Sequence, residues 1–425
     1  MRKKCWIAVP LIIIVVCLAA CSGAQSSQQL LQHQADDDTG DSLSPTDFDN
    51  RFGRRFNNLV ETEDAYYYCN FSGGYIYYYD KASGEHGVLC GKPECSHDSE
   101  MTNASCSGWI MLHANSLNYA NGGLYYVAHL RSSDYVGPAL FRMELDGTER
   151  KAVSRLDFGE LTNTCWPQRF DMYRGKMYGY VSFERVETGE PKVVNCLTCV
   201  DTESGRTNII YENDALNSSQ FAHPFFYGRY VYFCFAYSSS AVPGVIYTTL
   251  EIMRWDTETE TIEEVFKSEE NAVAGDMFDI WVESESEIYL APSIVSMGEN
   301  TPVYRFNGKE LQTAFEFENG AGAFLIGGGS VGFLHDSSAF EVRRFDGTLV
   351  RRIEPAFGFL EESEYDTVRD SVRPNGIYGD TDELFVVWQF RGGQGAPAFL
   401  TYVVRYDLAT DDNEGELIAF TPWIK

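Results

Sequence analysis

Three cysteines and one histidine lie within 17 residues of this chain, as Cys90, Cys95, His97 and Cys106. Three thiolates and one imidazole are a ligand set of structural zinc sites, in which four protein ligands leave no position for a substrate. The alternative is a disulfide between two of the cysteines with His97 exposed, because exported proteins form disulfides readily. The sequence leaves both readings open. Either linkage would constrain a Cys-rich insertion that we expect at about residues 90–117, between two structural repeats.

Other cysteines have a spacing that could suggest redox chemistry. Cys196 and Cys199 form a C-x-x-C pair, which in redox proteins belongs to a helix N-terminus. The residues around them, 193–200, are typical of a strand, where side chains three apart point to opposite faces. We therefore interpret both, and Cys234 in its aromatic strand, as small buried hydrophobic residues.

The N-terminus carries signals for export and lipid attachment. Basic residues at positions 2–4 precede an apolar run from Trp6 to Ala20, which ends in Leu18-Ala19-Ala20-Cys21. We predict that residues 1–20 are a secretion signal. The cysteine at its end resembles the bacterial lipobox, in which the sulfur receives a diacylglyceryl group. We expect Cys21 to anchor the protein to the cell membrane on its extracytoplasmic face, since the apolar run is shorter than the roughly 20 residues of a spanning helix.

Composition predicts a tether after the signal, and charge limits the classes of partner that the mature chain can bind. Residues 21–50 are polar and turn-rich, and they predict a flexible tether. The whole chain has a formal net charge of −29. Nucleic acid is therefore excluded as a partner, because phosphate binding needs a basic surface.

A strand-and-turn pattern repeats seven times in the rest of the chain. In each repeat a large apolar residue precedes an Asp or Asn that begins a turn. These turn residues are Asp80, Asp146, Asp201, Asp256, Asn307, Asp346 and Asp407. Other apolar strands lie upstream and downstream of each turn, so each repeat holds four short strands joined by hairpin turns. The intervals of 39 to 66 residues bracket the roughly 40 to 50 residues of a propeller blade.

These repeats predict an all-β fold for residues 51–425. We expect a β-propeller of four-stranded antiparallel blades, with seven blades, and with six or eight as the alternatives. A closed ring explains how so many strands avoid exposed edges. Two β-sandwiches in tandem are the competing architecture, but the sequence shows no linker that would separate them.

Two segments carry a resemblance to known proteins. Residues 140–148 (LFRMELDGT) look like the strand-turn signature of propellers of the YWTD and Tol-system kinds, and Phe345-Asp346-Gly347-Thr348 is a shorter version. The block from Leu89 to Asp98, downstream of a lipobox, resembles predicted β-propeller lipoproteins of Gram-positive gut anaerobes. The resemblance implies a fold and a location but almost no activity.

Three aromatic or imidazole side chains are candidates for ligand binding. Trp109, Trp166 and His223 lie where the outer strand of one blade should cross to the inner strand of the next. In propellers these crossings gather on the face that usually receives ligands, where aromatic rings can stack on sugars or anchor a protein. The alternative is that they fill gaps between blades.

The sequence thus favours a membrane-anchored lipoprotein that acts as a binding or scaffolding module for a glycan, a peptide or an envelope protein. We expect it to be a monomer. The alternative is a glycan hydrolase or lyase built on the propeller. The chain has no nucleophile elbow, phosphate loop or HExxH motif, and its 62 acidic residues do not single out a catalytic carboxylate pair. We predict no catalytic residue, and structural zinc is the only cofactor indicated.

Overall fold

The computed structural model describes most of the chain from residue 48 onward. The described residues are 48–53, 58–69, 74–97, 103, 105–110, 112–157, 165–187, 190–213, 220–221, 224–242, 245–269, 273, 276–295, 300–334, 338–360, 373–391 and 399–422. Over these ranges the regular elements are all β-strands, and no helix is long and apolar enough to cross a bilayer. Residues from Thr46 to Lys425 form one compact unit.

The strands form seven antiparallel sheets, each built from consecutive strands. Blade 1 contains β1 (Leu59–Glu61), β2 (Ala65–Cys69), β3 (Gly74–Asp80), β4 (His86–Val88) and β5 (Trp109–Ile110). Blade 2 contains β6 (Leu112–Ala120), β7 (Gly123–Arg131), β8 (Val136–Glu144) and β9 (Lys151–Arg155). Blade 3 contains β10 (Cys165–Tyr173), β11 (Lys176–Glu187), β12 (Glu190–Asp201) and β13 (Thr207–Asn213). Blade 4 contains β14 (Gln220–Phe221), β15 (Phe225–Tyr227), β16 (Tyr230–Val242), β17 (Val245–Asp256) and β18 (Thr261–Lys267).

The last three blades follow the same order. Blade 5 contains β19 (Asp276–Ser284), β20 (Glu287–Ile294), β21 (Thr301–Phe306) and β22 (Leu311–Phe317). Blade 6 contains β23 (Gly320–Ile326), β24 (Gly329–Leu334), β25 (Phe340–Arg344) and β26 (Leu349–Ile353). Blade 7 contains β27 (Arg373–Gly379), β28 (Glu383–Arg391), β29 (Phe399–Asp407) and β30 (Glu416–Pro422).

The sheets are the blades of a seven-bladed β-propeller, as the repeats predict. Blades 1 and 4 each contain five strand segments, because one strand position is interrupted: the outer one in blade 1 and the inner one in blade 4. Each blade therefore has four strand positions. The first strands of neighbouring blades contact one another, for example β6 with β10 and β19 with β23, so they form the inner wall of the ring.

The seven predicted turns connect the third and fourth strands of each blade. In all seven, the Oδ1 atom of the Asp or Asn accepts a backbone N–H from two or three residues further along. Such Asx turns explain why Asp and Asn recur at this position. The turn hydrogen bonds lower the pKa of five of these carboxyl groups, those of Asp80, Asp146, Asp201, Asp346 and, against the opposing effect of burial, Asp256.

Neighbouring blades pack through apolar side chains and a few buried polar links. Asn118 on β6 donates from Nδ2 to Phe170 O at 2.9 Å and accepts from Met172 N at 3.0 Å. Asp279 on β19 accepts from Leu325 N at 2.9 Å in the next blade. Because the inner strands belong to different sheets, these side chains satisfy backbone groups that no neighbouring strand reaches.

The ring is closed between blades 1 and 7 by side-chain packing. One buried cluster combines residues of the first blade and the preceding segment with residues of the last blade. Its members are Phe52, Leu59, Tyr66, Tyr68, Tyr79, Tyr378, Phe385, Val387, Val403, Ile418 and Ala419. Polar bonds reinforce the seam: the Tyr66 hydroxyl donates to Glu383 at 3.3 Å, and the Tyr79 hydroxyl donates to Glu416.

The segment Phe48–Gly53 crosses one end of the ring. Asn50 exchanges two hydrogen bonds with the backbone of Phe226 in blade 4, at 2.7 and 3.0 Å. Arg51 accepts from Gly379 N through its carbonyl oxygen at 3.0 Å and pairs with Asp380 at 3.2 Å, both in blade 7. Blades 4 and 7 are three positions apart in a ring of seven, so the segment passes over the axis. It lies where the first two strands of each blade join.

Two ribbons project from the opposite end. The hairpins β11–β12 and β16–β17 have strands of 12 or 13 residues, whereas the corresponding strands of blades 2 and 7 have 9. The extra length, about 10 Å at about 3.3 Å per residue, lies beyond the flanking strands. Residues 184–187 with 190–193, and residues 237–242 with 245–249, are therefore two-stranded ribbons on adjacent blades.

Candidate metal centre

The Cys-rich insertion interrupts the outer strand of blade 1. Both β4 and β5 pair with β3 in the same antiparallel direction, through Tyr77↔Val88 and Tyr75↔Trp109. Between them, Ile76 donates its N–H to Gly108 O at 2.9 Å and accepts from Leu89 N at 2.8 Å. The chain thus leaves the strand at Leu89 and returns at Gly108, at the same level of the sheet. From the sequence we expect the insertion to lie between the first two blades. In the structure it lies inside the outer strand of blade 1.

The two ends of the insertion touch at a narrow neck. A Cβ atom added to Gly108 would lie 1.9 Å from the carbonyl oxygen of Leu89. Glycine is therefore required at position 108 by the close approach of two backbone segments. Cys90 directly follows Leu89, and Cys106 lies two residues before Gly108.

The neck brings the four predicted ligands together. The ligand atoms of Cys90, Cys95, His97 and Cys106 all lie within 4.8 Å of one another. The sulfurs of Cys90 and Cys106 are 3.5 Å apart, and Cys90, Cys95 and Cys106 are all free thiols. Cys106 is fully buried, and the other three residues are half-buried. The arrangement is a convergent donor set with three sulfurs and one nitrogen.

Hydrogen bonds around the sulfurs favour the thiolate form of Cys90. The Ser107 hydroxyl donates to Cys90 Sγ at 3.5 Å, and Asn103 donates from Nδ2 to Cys95 Sγ at 3.9 Å. Burial alone would raise the pKa of Cys90, but hydrogen bonds that include those from His97 and Ser107 lower it to about 5. Burial and the neighbouring Cys90 raise the pKa of Cys106 to about 12.

His97 is held in an uncommon conformation beside the thiols. Its backbone φ of 52° lies in the left-handed region that non-glycine residues seldom adopt. Its ring packs edge-on against Tyr75, with the ring centroids 5.6 Å apart. The Nε2 atom is enclosed by protein and has no hydrogen-bond partner among the described residues. A buried polar atom of this kind calls for a ligand.

The insertion also contacts blade 2. Arg150 donates through Nη1 to the carbonyl oxygens of Ser107 at 3.3 Å, Cys106 at 3.5 Å, and Trp109. Gly91 donates its N–H to Gly147 O at 3.4 Å, in the Asx turn of blade 2. The cluster therefore lies at the junction between the first two blades and can affect how they pack.

Two of the other candidate residues, Trp109 and Trp166, lie in strands next to the crossings between blades. Trp109 is half-buried in β5, directly before the crossing to blade 2. Trp166 pairs with Ser182 near the start of β10, and its side chain is not among those that the structure describes. His223 and Cys21 lie outside the described residues. Ligand binding by the two tryptophans and His223 stays a prediction.

The C-x-x-C pair behaves as its strand spacing predicts. Cys196 and Cys199 are both buried on β12 and belong to different apolar clusters, and no disulfide joins them to each other. Burial raises the pKa of Cys199, which disfavours the reactive thiolate. Cys69 and Cys234 are also fully buried. These cysteines serve packing.

Among the solved structures to which the chain is similar is a β-propeller domain. No protein-family model and no curated protein matches the chain. The β-propeller domain of the Trilobed protease from Pyrococcus furiosus is 13% identical, with 84% of this chain and 96% of that chain covered and a TM-score of 0.43. The acylaminoacyl peptidase from Pyrococcus horikoshii is 11% identical, with 86% and 54% covered and a TM-score of 0.43.

A TolB-like protein from Agrobacterium tumefaciens is 13% identical, with 56% of this chain and 80% of that chain covered and a TM-score of 0.33. The chain spans about half the length of the peptidases that it matches. At these identities the similarity is one of fold alone.

The close approach at the neck predicts that alanine substitution destabilises the protein at one glycine of the interrupted strand but not at another. Gly108→Ala should lower the free energy of unfolding by about 1–3 kcal/mol, because its methyl group would overlap backbone atoms that cannot move aside. The matched control is Gly87→Ala, whose Cβ would meet only the Tyr78 ring at 3.7 Å. Urea unfolding measures both. A Gly108→Ala protein as stable as the Gly87→Ala protein would contradict the close approach at the neck.

Proposed function

We propose that this protein is a lipid-anchored extracytoplasmic β-propeller that acts as a binding or scaffolding module for a glycan, a peptide or an envelope protein. The basic residues, apolar run and Cys21 at the N-terminus support the lipid anchor. Two acyl chains on the cysteine would give stable membrane attachment. The net charge of −29 favours a ligand other than a polyanion.

The two ends of the ring differ, and this observation carries the proposal. The chain enters the propeller at Phe48, and Phe48–Gly53 covers the axis at that end. The covered end is therefore the end at which the described part of the chain begins. The ribbons of blades 3 and 4 project from the other end, and the crossings between blades lie there too. Because the opposite end is covered, the ribbon end is the proposed binding face.

The ribbon of blade 4 has an unusual composition for this chain. No charged residue occurs from Tyr237 to Leu250, in a chain of which 22% of the residues are charged.

The strands of the blade 4 ribbon pair with each other and, among the described residues, with no third strand. Each outer edge of the ribbon therefore has backbone groups available for hydrogen bonding. Such an edge can take up an extended peptide by strand addition. The sequence of this ribbon is also rich in serine, threonine and tyrosine, residue types whose hydroxyl groups can bind sugar hydroxyls.

Buried carboxylates of the inner strands support binding over hydrolysis. Asp171 Oδ2 lies 2.7 Å from Nη2 of Arg169, and both side chains are almost fully buried. Asp279 accepts backbone N–H groups of Ile280 and Leu325 at 3.2 and 2.9 Å. Both carboxylates are engaged in structural contacts, whereas a glycosidase needs two that face a sugar.

The lipid anchor predicts that an acyl label depends on a single sulfur. In cells fed an alkyne-tagged fatty acid, the full-length protein should carry the label, and Cys21→Ser should lose it, because the thioether can form only at that sulfur. Cys17→Ser, within the apolar run, is the matched control and should keep the label. An unlabelled wild-type protein, or a labelled Cys21→Ser variant, would overturn the lipobox assignment.

If the ribbon end is the binding face, shortening the blade 4 ribbon should weaken ligand binding. Residues 239–247 can be replaced by an Asn-Gly turn that joins Ser238 to Thr248, which already pair across the ribbon. Full-length protein in detergent is screened on glycan and peptide arrays. We expect the ribbon variant to lose at least tenfold in affinity for the ligand found, while Lys309→Ala at the opposite end keeps it. Equal binding by both variants would reject this face, and cleavage of the arrayed ligand would favour the hydrolase alternative.

A further inference from the structure

The Cys and His cluster at the neck of the blade-1 insertion matches the geometry of a tetrahedral metal site. Zn–S bonds of about 2.3 Å in a tetrahedron place sulfur atoms about 3.8 Å apart. The ligand atoms of the cluster lie within 4.8 Å of one another, and the closest pair of sulfurs is at 3.5 Å. Small shifts of half-buried side chains would bring all four atoms to bonding distance of one ion.

The donor set selects zinc over harder cations. Thiolates and imidazole suit Zn²⁺, whereas Ca²⁺ and Mg²⁺ take oxygen ligands. In the part of the chain that the structure describes, no carboxylate belongs to the cluster. Four protein ligands also fill a tetrahedral sphere, so the ion would have a structural role and no open position for a substrate.

The surroundings provide the second layer of contacts that such a site needs. Ser107 and Asn103 donate to two of the sulfurs, as groups around bound thiolates commonly do. His97 has an enclosed Nε2 atom with no hydrogen-bond partner in the described part of the chain. A disulfide between Cys90 and Cys106 would use neither Cys95 nor His97, so it would leave the convergence of all four residues without a cause.

We propose that Cys90, Cys95, His97 and Cys106 bind one Zn²⁺ ion that staples the neck of the insertion in the outer strand of blade 1. The ion links the start of the insertion, through Cys90, to its end, through Cys106, and Cys95 and His97 fix the part between them. Arg150 binds the carbonyl oxygens of Cys106 and Ser107, so the same ion stabilises the junction with blade 2. This inference is independent of the proposed binding activity.

The first test is metal analysis of the full-length protein purified in detergent without chelators. About one zinc per chain is expected, with Cys90, Cys95 and Cys106 protected from alkylation until a chelator is added. Replacement by Co²⁺ should give the strong visible bands of tetrahedral cobalt and a thiolate charge-transfer band. Protein without zinc that carries a disulfide among the three cysteines would overturn the proposal, and so would zinc whose removal leaves their alkylation unchanged.

Variants of the full-length protein separate the site from other zinc-binding groups. Cys95→Ser and His97→Ala should lose the bound zinc, and Cys196→Ala, a buried thiol on another blade, should keep it. His97→Cys would give the cluster four thiolate ligands, which is also a ligand set of structural zinc sites. This variant should retain zinc, and its cobalt form should show a stronger thiolate charge-transfer band. Unchanged zinc content in Cys95→Ser would contradict the assignment.

Thermal unfolding gives a readout that does not depend on metal analysis. A chelator should lower the unfolding midpoint of the wild-type protein to that of folded Cys95→Ser, and it should leave the variant unchanged. Should Cys95→Ser fail to fold, the His97→Cys protein serves instead, and it should show the chelator-sensitive midpoint of the wild type. A wild-type midpoint insensitive to chelator would count against a structural ion.

Discussion

Side-chain packing between the first and last blades holds the ring closed, because each blade is built from consecutive strands of the described chain. No strand from one end of the chain completes a sheet at the other end in that part of the structure. Closure then depends on apolar contact, with five tyrosine and phenylalanine rings from blades 1 and 7 and from Phe52 at the centre of the seam. Rings of this size bury large apolar areas and add specific edge and stacking contacts. The inner wall and the two ends of the propeller exist only while this seam is shut.

The closed ring explains why its two ends can differ. Phe48–Gly53 binds blade 4 through Asn50 and blade 7 through Arg51, so it acts as a brace across the ring at the end where the chain enters. The Asx turns and inner hairpins lie at that end and repeat from blade to blade. The ribbons of blades 3 and 4 lie at the other end and break the repeat. Repeated features serve the scaffold, and features that occur once are where a propeller acquires its own ligand.

The fold could be predicted from the sequence because its signals are local. Asx turns use the side chain of one residue and the backbone of the next three, so Asp80 and its six counterparts are visible without tertiary information. The donor spacing of Cys90, Cys95, His97 and Cys106 was also visible, but their convergence depends on the meeting of Leu89 and Gly108 on Ile76. Likewise, nothing in the polar residues before β1 shows that Asn50 will bind Phe226, because that bond joins residues 176 positions apart. Asn103, Ser107 and Arg150 were missed for the same reason, although Ser107 directly follows a predicted ligand.

Native-state hydrogen exchange of the full-length protein tests the seam most directly, since it reports the free energy at which each strand opens. Closure by packing predicts that amides of β2 and β3 in blade 1 and of β28 and β29 in blade 7 exchange with the same free energy as those of β16 and β17 in blade 4. The ring would then open only as a whole. Exchange of the blade 1 and blade 7 amides through a lower-energy opening, while blade 4 stays protected, would contradict a ring held shut at this seam.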